Sequence, residues 1–534
     1  MDWLLKNQKV LAAAMIAIGV IRIAATYPVF NETMDEGIHI SCGLEWLDKG
    51  QYLIEPQHPP LARVMAAMGP FLAGARSSGL ADPYAEANQV LHTDHEYLRN
   101  LTLARVGVLP FFIAVCAVLW IWTKRLYGDL AALCALFLVS NMPPVLAHAG
   151  LATTDMACTA AFMGTLFVFV EWLQKPGRRL TILLGVMLGV AVLSKFSLIP
   201  FLALTLPLII FAKGWRDVRI KPILGAAVVA FAVIWAGYRF SVGSFSTPDG
   251  RYGGWVSSVV GKDGVLHDAI YGVLDSDMLP APELFRGIDD AGTHNSRGHR
   301  SYLLGETRNT GRWYFFPIAL GVKTPVPALV LGIGGLVWLL FDYRRRPDWR
   351  RAAPALAFVA TLLFSLTINV NIGVRHVLPL YPLMAMAGGA VCARLIEAGT
   401  NTRIMAIGLL ALQGLSVAVE HPDYLSYFNF LAGSRPENIL VDSDLDWGQD
   451  VFRLRDKLRE LDVKHLAIVD LGTADLDKLG LPGHELLRPG KRPSGYAAAS
   501  WFTIKARPET YGWLEHETPV ARAGKSILIY YFPP

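Results

Sequence analysis

The sequence carries little charge for its length. Charged residues make up only 17% of the 534 residues, whereas hydrophobic residues make up 53%, and the mean hydropathy is +0.37. A typical soluble domain has about 25% charged residues. This shortage of charge argues against a large soluble enzyme, a disordered chain and a nucleic-acid-binding protein. The composition is that of a polytopic membrane protein.

Cysteine is also scarce, with five in the whole chain. Only Cys42 lies in a polar stretch, and the others lie within apolar runs, so we expect no structural disulfide. The cysteines within apolar runs are Cys116, Cys134, Cys158 and Cys392. The sequence has no Cys/His spacing for zinc, no glycine-rich nucleotide loop and no Gly-x-Ser-x-Gly turn. These absences argue against a structural zinc site, a nucleotide-bound donor and a serine hydrolase.

Long apolar segments are abundant. A helix needs about 20 apolar residues to cross a bilayer, within a range of roughly 17–25. Eleven segments approach this length, and the fifth and sixth are short. They are Val10–Phe30, Val106–Thr123, Leu130–Ala147, Leu151–Trp172, Leu180–Phe196, Leu198–Ala212, Pro222–Phe240, Phe315–Phe341, Pro354–Asn369, Val377–Leu395 and Ile404–Val419.

The basic residues orient these segments. Short cytoplasmic loops collect Lys and Arg, and every short basic cluster falls on one side if the amino terminus is inside. The clusters are Lys6/Lys9, Lys124–Arg125, Lys175/Arg178/Arg179, Lys213/Arg216/Arg219/Lys221, Arg344–Arg346 with Arg350–Arg351, and Arg394/Arg403. The first outer loop has ten acidic and four basic residues over positions 26–104. We therefore predict an amino terminus inside, a carboxyl terminus outside, and a first span that is retained as a signal anchor.

The chain divides into two predicted domains. Residues 1–420 form an all-α transmembrane domain with long outer loops at 26–104 and 241–312, and Leu61–Ala75 lies along the membrane interface. Residues 421–534 have the composition of a small soluble α/β domain outside the cytoplasm. Its predicted elements are a helix at Val451–Leu461 and strands within His465–Asp470, Tyr496–Ile504 and Ser526–Phe532.

Ionisable residues close to membrane segments are candidates for a functional site, because burying charge there is costly. Asp35 and Glu36 follow the first span, and a carboxylate at the outer face can act as a general base for a hydroxyl nucleophile. Asp155 opens the fourth span and is a second candidate. The alternatives are a solvated loop acid for Asp35 and a helix cap for Asp155.

Cations on the same outer side form a second group. Lys195 interrupts an apolar run, and Arg375 and His376 precede another. They could hold a lipid-linked phosphate, or they could extend to the lipid headgroups. Further substrate-binding candidates, for each of which a solvated or structural role is an alternative, are His58, His299, Arg300, Glu306 and Lys323.

Two acids and several cations on one face suit the cleavage of a glycosyl phosphate. The cations stabilise the departing phosphate while a carboxylate accepts the proton of the acceptor. A divalent metal ion, with Asp35 and Asp155 as candidate ligands, could share the phosphate, although no spacing requires one. Because the cytoplasmic loops are short and basic, we expect the donor to reach the site from the membrane.

These motifs resemble the polyprenyl-phosphate-sugar-dependent glycosyltransferases of the GT-C fold, which include protein O-mannosyltransferases and the aminoarabinose transferase that modifies lipid A. The matching motifs occur in order along most of the chain. They are Asp35–Glu36, His58-Pro-Pro-Leu61, Thr154-Asp155, Ser194-Lys195-Phe196, Ser301-Tyr-Leu-Leu-Gly-Glu306, Trp313-Tyr-Phe-Phe-Pro317 with Lys323-Thr-Pro325, Gly373-Val-Arg-His376, and Asp444-Leu-Asp-Trp-Gly-Gln449.

The resemblance implies an inverting transferase with Asp35 as the catalytic carboxylate, supported by Glu36. It implies that Asp155 binds the acceptor or a metal and that Lys195 holds the lipid phosphate, assisted by Arg375. The donor would be a polyprenyl-phosphate-linked sugar, and the acceptor a lipid, a glycan or a protein. The expected location is a bacterial inner membrane with the site facing outward. The chain departs from the aminoarabinose transferases in its tail and in the Trp-Gly-Gln segment, and it lacks the loop domain of eukaryotic protein mannosyltransferases.

Two other functions compete with this one. A non-catalytic transporter would line a translocation path with the same charges, but no duplicated half is visible in the sequence. An envelope assembly protein would place its function in the tail.

Overall fold

Helices form most of the chain before residue 421. The structure, a computed structural model, describes residues 2–80, 82–217, 219–247, 250–469 and 471–534. The helices of this part are α1 (Asp2–Lys6), α2 (Gln8–Ala24), α3 (Glu36–Leu44), α4 (Pro60–Leu72), α5 (Pro83–Leu91), α6 (Tyr97–Val106), α7 (Leu109–Tyr127), α8 (Asp129–Ser140), α9 (Pro143–Ala149), α10 (Asp155–Gln174), α11 (Arg178–Ser194), α12 (Leu198–Lys213), α13 (Ile220–Gly237), α14 (Gly254–Val260), α15 (Val265–Leu274), α16 (Pro282–Arg297), α17 (Phe315–Lys323), α18 (Val326–Arg345), α19 (Trp349–Ser365), α20 (Leu380–Ala398) and α21 (Thr400–Glu420).

The helical membrane architecture is confirmed, and each predicted apolar segment coincides with a helix or with two consecutive helices. Within the described residues, 6 helices are long and apolar enough to span a membrane, or 7 if the pair α8 and α9, bent by 65°, is one span. Four further helices that coincide with predicted spans (α2, α11, α12 and α19) have 16 or 17 residues. The number eleven and the orientation therefore remain predictions.

Small residues allow the central helices to approach closely. A Cβ on Gly335 of α18 would lie 2.2 Å from the carbonyl oxygen of Ala387 in α20, and one on Gly389 of α20 would lie 2.5 Å from that of Ala131 in α8. Backbone contact of this kind needs glycine, and small residues are typical of helix interfaces within membranes. Helix α20 is consequently buried between α8 and α18.

The outer segments are largely helical and pack on the membrane domain. The predicted interfacial helix is α4, which packs against α3 and α6. Cys42 does not lie in a polar loop, because it is buried within α3, and all five cysteines are buried and free. The 241–312 segment contains α14–α16, an antiparallel pair of short strands, β1 (Val242–Gly243) with β2 (Leu279–Pro280), and a hairpin, β3 (Ser301–Leu303) with β4 (Glu306–Arg308).

The tail forms a five-stranded mixed sheet with order β6-β5-β7-β9-β8. Its strands and helices are α22 (Val451–Glu460), β5 (His465–Ile468), β6 (Gly483–Leu486), β7 (Gly495–Ser500), α23 (Trp501–Ala506), α24 (Pro508–Tyr511), β8 (Ala521–Ala523) and β9 (Ile527–Phe532). Strand β5 is parallel to β6 and β7, and β9 is antiparallel to β7 and β8. The strand expected across Tyr496–Ile504 gives way to α23, where the side chain of Ser500 caps the helix. Asp470, the predicted end of a strand, lies outside the described residues.

Candidate active site

Asp35 lies immediately before α3, and its carboxylate faces a cation from a distant part of the chain. Nη1 of Arg375, in the short helix Val374–Val377, donates a 2.6 Å hydrogen bond to Oδ2 of Asp35. The Asp35 side chain is 32% exposed, whereas that of Arg375 is 9% exposed. Burial raises the pKa of Asp35, but Arg375 and His39 lower it more, and the net pKa is below its ordinary value. Asp35 is therefore an ionised carboxylate that is open to solvent on one side.

A second buried ion pair lies close to the first. Nζ of Lys195, which follows α11, lies 2.5 Å from Oδ1 of Asp155, the first residue of α10. The hydroxyl of Thr153 donates to the other oxygen of Asp155 at 3.2 Å. Burial lowers the pKa of Arg375, but Asp35 and Asp155 raise it above its ordinary value. The two pairs thus form one electrostatic cluster of Asp35, Arg375, Asp155 and Lys195.

Glu36 points away from this cluster and is enclosed by protein. Its two oxygens accept hydrogen bonds of 2.8 Å from Nε and Nη2 of Arg105 in α6, and its Oε1 accepts one from the backbone of Ala152 at 2.8 Å. The backbone of Thr33 donates to Oε2 at 2.9 Å. Glu36 therefore joins the start of α3 to α6 and to the segment before α10. In this arrangement it fixes the position of Asp35 and does not face the cluster.

Neutral histidines surround the cluster. The rings of His39 and His58 meet edge to face with centroids 5.2 Å apart, and Nδ1 of His39 accepts a 3.0 Å hydrogen bond from Arg63. Burial, with the charge of Arg63, lowers the pKa of His39 to about 3. The pKa values of His58 and His376 also lie well below 6.5, chiefly because of burial. These rings can accept or donate hydrogen bonds at neutral pH without adding charge.

His299 contacts His294, which was not among the predicted site residues. Nε2 of His294 lies 3.2 Å from Nδ1 of His299, and Nδ1 of His294 lies 2.7 Å from the side-chain nitrogen of Gln57. Burial lowers the pKa of both histidines, and Arg375 and Asp35 act on both. In the sequence, the Gln57–His294 contact was indicated only by the position of Gln57 next to the predicted site residue His58.

Glu306 and Lys323 are placed elsewhere. Glu306 is exposed on the β3–β4 hairpin and pairs with Arg308 at 2.7 Å. Lys323 is buried at the end of α17 and donates hydrogen bonds to the carbonyl oxygens of Leu425, at 2.8 Å, and Asp444. Its contacts connect the tail to the membrane domain. The structure shows no contact of either side chain with the two ion pairs.

Asp442 is a further acid near the cluster, and it sits in a left-handed turn with a φ of 57°. Burial raises its pKa to about 7, although the charge of Arg375 opposes this. Since an unfolded Asp ionises near pH 4, folding opposes ionisation of Asp442 between about pH 4 and 7. Its contribution to stability therefore falls as the pH rises through this interval.

We expect Asp442→Asn to raise the melting temperature by more at pH 8 than at pH 5, because the amide stays neutral at both values and Asn tolerates the left-handed region. Thermal unfolding of the purified protein in detergent measures this difference. Asp462→Asn is the matched control, because Asp462 also has a positive φ, of 52°, but its side chain is 83% exposed. A gain that is the same at both pH values would contradict the prediction.

The residues present do not fit a metal centre. Within the described part of the chain, no group of three or more His, Cys, Asp and Glu side chains is arranged to hold a metal ion. Asp35 and Asp155, the candidate ligands, are each paired with a cationic side chain that occupies the place of a bound cation.

Comparison with known proteins supports a glycosyltransferase architecture. Residues 100–237, which include Asp155 and Lys195, match the family model described as dolichyl-phosphate-mannose-protein mannosyltransferase. No curated protein matches the sequence.

Solved structures resemble the chain over nearly its full length. ArnT from Cupriavidus metallidurans bound to undecaprenyl phosphate has a TM-score of 0.51 at 13% identity, and its apo state has a TM-score of 0.50 at 14% identity, each covering 97% of both chains. The oligosaccharyltransferase AglB from Archaeoglobus fulgidus has a TM-score of 0.49 at 12% identity, covering 94% of this chain and 71% of its own. The structural likeness to ArnT confirms the predicted fold, and the family match over residues 100–237 agrees with the predicted resemblance to GT-C glycosyltransferases.

Proposed function

We propose that this protein transfers one sugar from a polyprenyl-phosphate carrier to a lipid, glycan or protein acceptor on the outer side of a bacterial inner membrane. The observation that supports this most strongly is the pair of neighbouring carboxylate–cation contacts, Asp35–Arg375 and Asp155–Lys195. An anionic phosphate and a nucleophilic hydroxyl are the two groups that such a cluster suits. The bound polyprenyl phosphate in the similar ArnT structure is consistent with this donor class.

In this proposal, Lys195 and Arg375 bind the donor phosphate. The donor phosphate competes with the carboxylates for Lys195 and Arg375, both of which are at least nine-tenths buried. Their charge stabilises the negative charge that develops on the phosphate as its bond to the anomeric carbon breaks. The carrier leaves as polyprenyl phosphate.

Asp35 acts on the acceptor. As the acceptor oxygen forms its bond to the anomeric carbon, its proton passes to the Asp35 carboxylate. When the phosphate engages Arg375, Asp35 loses the partner that holds its pKa low, so donor binding makes Asp35 a stronger base. A single displacement of this kind inverts the anomeric configuration.

Removing the cation of Lys195 should weaken donor binding. We expect the double variant Lys195→Met/Asp155→Asn to bind sugar-free polyprenyl phosphate roughly 10- to 100-fold less tightly, since a hydrogen bond to a charged group is worth about 1.5–3 kcal/mol. The second substitution avoids leaving Asp155 as an unpaired buried charge. Binding is measured with the purified protein in lipid nanodiscs, together with transfer from a panel of polyprenyl-phosphate sugars to envelope extracts, followed by mass spectrometry.

Lys464→Met is the matched control, because Lys464 is 82% exposed in the tail. Wild-type affinity in the double variant would contradict the role of Lys195. Failure of the wild-type protein to bind any polyprenyl phosphate or to release it from a donor would overturn the proposed function.

A further inference from the structure

A segment of the tail, residues 442–450, lies against the loop that carries Asp35. The backbone of Met34 donates to the carbonyl oxygen of Trp447 at 3.1 Å. The side chain of Asn31 donates to Gly448 at 2.8 Å and accepts from the backbone of Val451 at 2.8 Å. The soluble tail therefore holds the backbone one residue before the proposed base.

The same segment holds the short helix that carries Arg375. Oδ1 of Asp444 accepts a 3.1 Å hydrogen bond from the backbone of Val374, and the hydroxyl of Ser443 donates to the carbonyl oxygen of Ile372. A Cβ on Gly373, whose φ is 144°, would lie 2.3 Å from Oγ of Ser443. Glycine is needed here because the tail approaches so closely.

Trp447 is the residue of the 442–450 segment whose side chain contacts Arg375 directly. The guanidinium carbon of Arg375 lies 4.1 Å from the centroid of the Trp447 ring, and this ring also meets His148 edge to face with centroids 6.1 Å apart. Trp447 is 2% exposed, so its ring is fixed by packing on all sides. A cation at this distance from a desolvated indole face is attracted to it.

A guanidinium that stacks on an aromatic face keeps its N–H groups free to donate along its own plane, away from the ring. Nη1 donates to Asp35, whereas Nε is buried and has no hydrogen-bond partner among the described residues. A buried donor without a partner is costly. An oxyanion that entered the cluster could accept from this N–H without displacing a protein group.

We propose that Trp447 is a positioning residue that orients Arg375 for the donor phosphate, so that the tail completes the active site. This inference rests on the proposed function, and it assigns to Trp447 a role in a part of the chain that the family match at 100–237 does not cover. Trp447 acts through Arg375 and does not itself contact the phosphate.

The test is a double-mutant cycle measured as affinity for sugar-free undecaprenyl phosphate in nanodiscs. A desolvated cation–π contact corresponds to roughly a 3- to 30-fold change in affinity. We expect Trp447→Leu to raise Kd within this range and Trp447→Phe to recover much of the loss. In an Arg375→Gln background, Trp447→Leu should have no further effect on Kd.

The results of this cycle separate a failure of the Trp447 inference from a failure of the proposed function. If the wild-type protein binds the lipid and Trp447→Leu weakens binding equally with and without Arg375, Trp447 is only structural and the inference fails. If the wild-type protein does not bind the lipid, the proposed function fails instead. If Trp447→Leu does not fold, the cycle is run with Trp447→Phe, whose weaker π-face should raise Kd by a smaller factor that also disappears in the Arg375→Gln background.

Discussion

Asp35→Asn should reduce sugar transfer by roughly 10²- to 10⁴-fold, the contribution that a positioned general base usually makes. The amide cannot take up the acceptor proton but keeps nearly the same shape. Because the variant no longer holds Arg375 with a full negative charge, affinity for polyprenyl phosphate should stay the same or increase. Single-turnover transfer and lipid binding, measured on the same preparation, separate the two effects.

Asp263→Asn is the matched control, because Asp263 is an exposed acid in the 241–312 segment. The same comparison distinguishes a transferase from a transporter. A transporter that merely lined a path with charge would form no glycosylated product in either the wild type or the variant. Near-wild-type product formation by Asp35→Asn would remove Asp35 from the role of base.

The membrane helices were predictable because their signal is local. About 20 consecutive apolar residues define a span regardless of what the span packs against, and all eleven predicted segments are helical. The break between α8 and α9 and the shortness of α2 depend on tertiary packing, which composition does not encode. After Ser500 the chain forms a helix where we expected a strand, and the side chain of Ser500 caps that helix. A short apolar run alone does not distinguish a strand from a helix.

The candidate site was predictable in its residue types but not in its pairings. Asp35 and Arg375 are 340 positions apart, and only their shared outer side linked them in the sequence. The adjacent acids Asp35 and Glu36 looked alike, yet one is partly open and the other is enclosed by Arg105. Trp447 lies in the Asp444–Gln449 motif, but nothing in that motif indicated that its ring would contact Arg375.

The tail is more closely connected to the site than a separate soluble domain would be. The predicted boundary at residue 420 follows a change in composition. Across that boundary, Lys323 binds the backbone of Leu425 and Asp444, and Asn31 binds Gly448. We therefore regard the 442–450 segment as part of the structure that holds Asp35 and Arg375.

Arg105→Met should destabilise the protein more than any other single substitution considered. Arg105 and Glu36 are 1% and 0% exposed, and loss of one partner from a buried pair costs about 3–5 kcal/mol because a charge is left without compensation. Arg105 also donates to the backbone carbonyl groups of Phe30 and Asn31 at 2.9 and 2.8 Å. Loss of Arg105 would therefore remove the hydrogen bonds that hold the backbone at Phe30 and Asn31, where the first predicted span ends.

The double variant Arg105→Met/Glu36→Gln should recover part of this loss, because no charge is buried and the single amide oxygen can still accept from the backbone of either Thr33 or Ala152. Arg99→Met is the control on the same helix, since Arg99 is 40% exposed and pairs with Asp94 at 3.5 Å, and such surface pairs are worth about 0–1 kcal/mol. Apparent melting temperatures in detergent measure all three variants. If Arg105→Met were no less stable than Arg99→Met, Glu36 would not be held as an ion in the folded protein, and the anchoring of Asp35 through Glu36 would have to be abandoned.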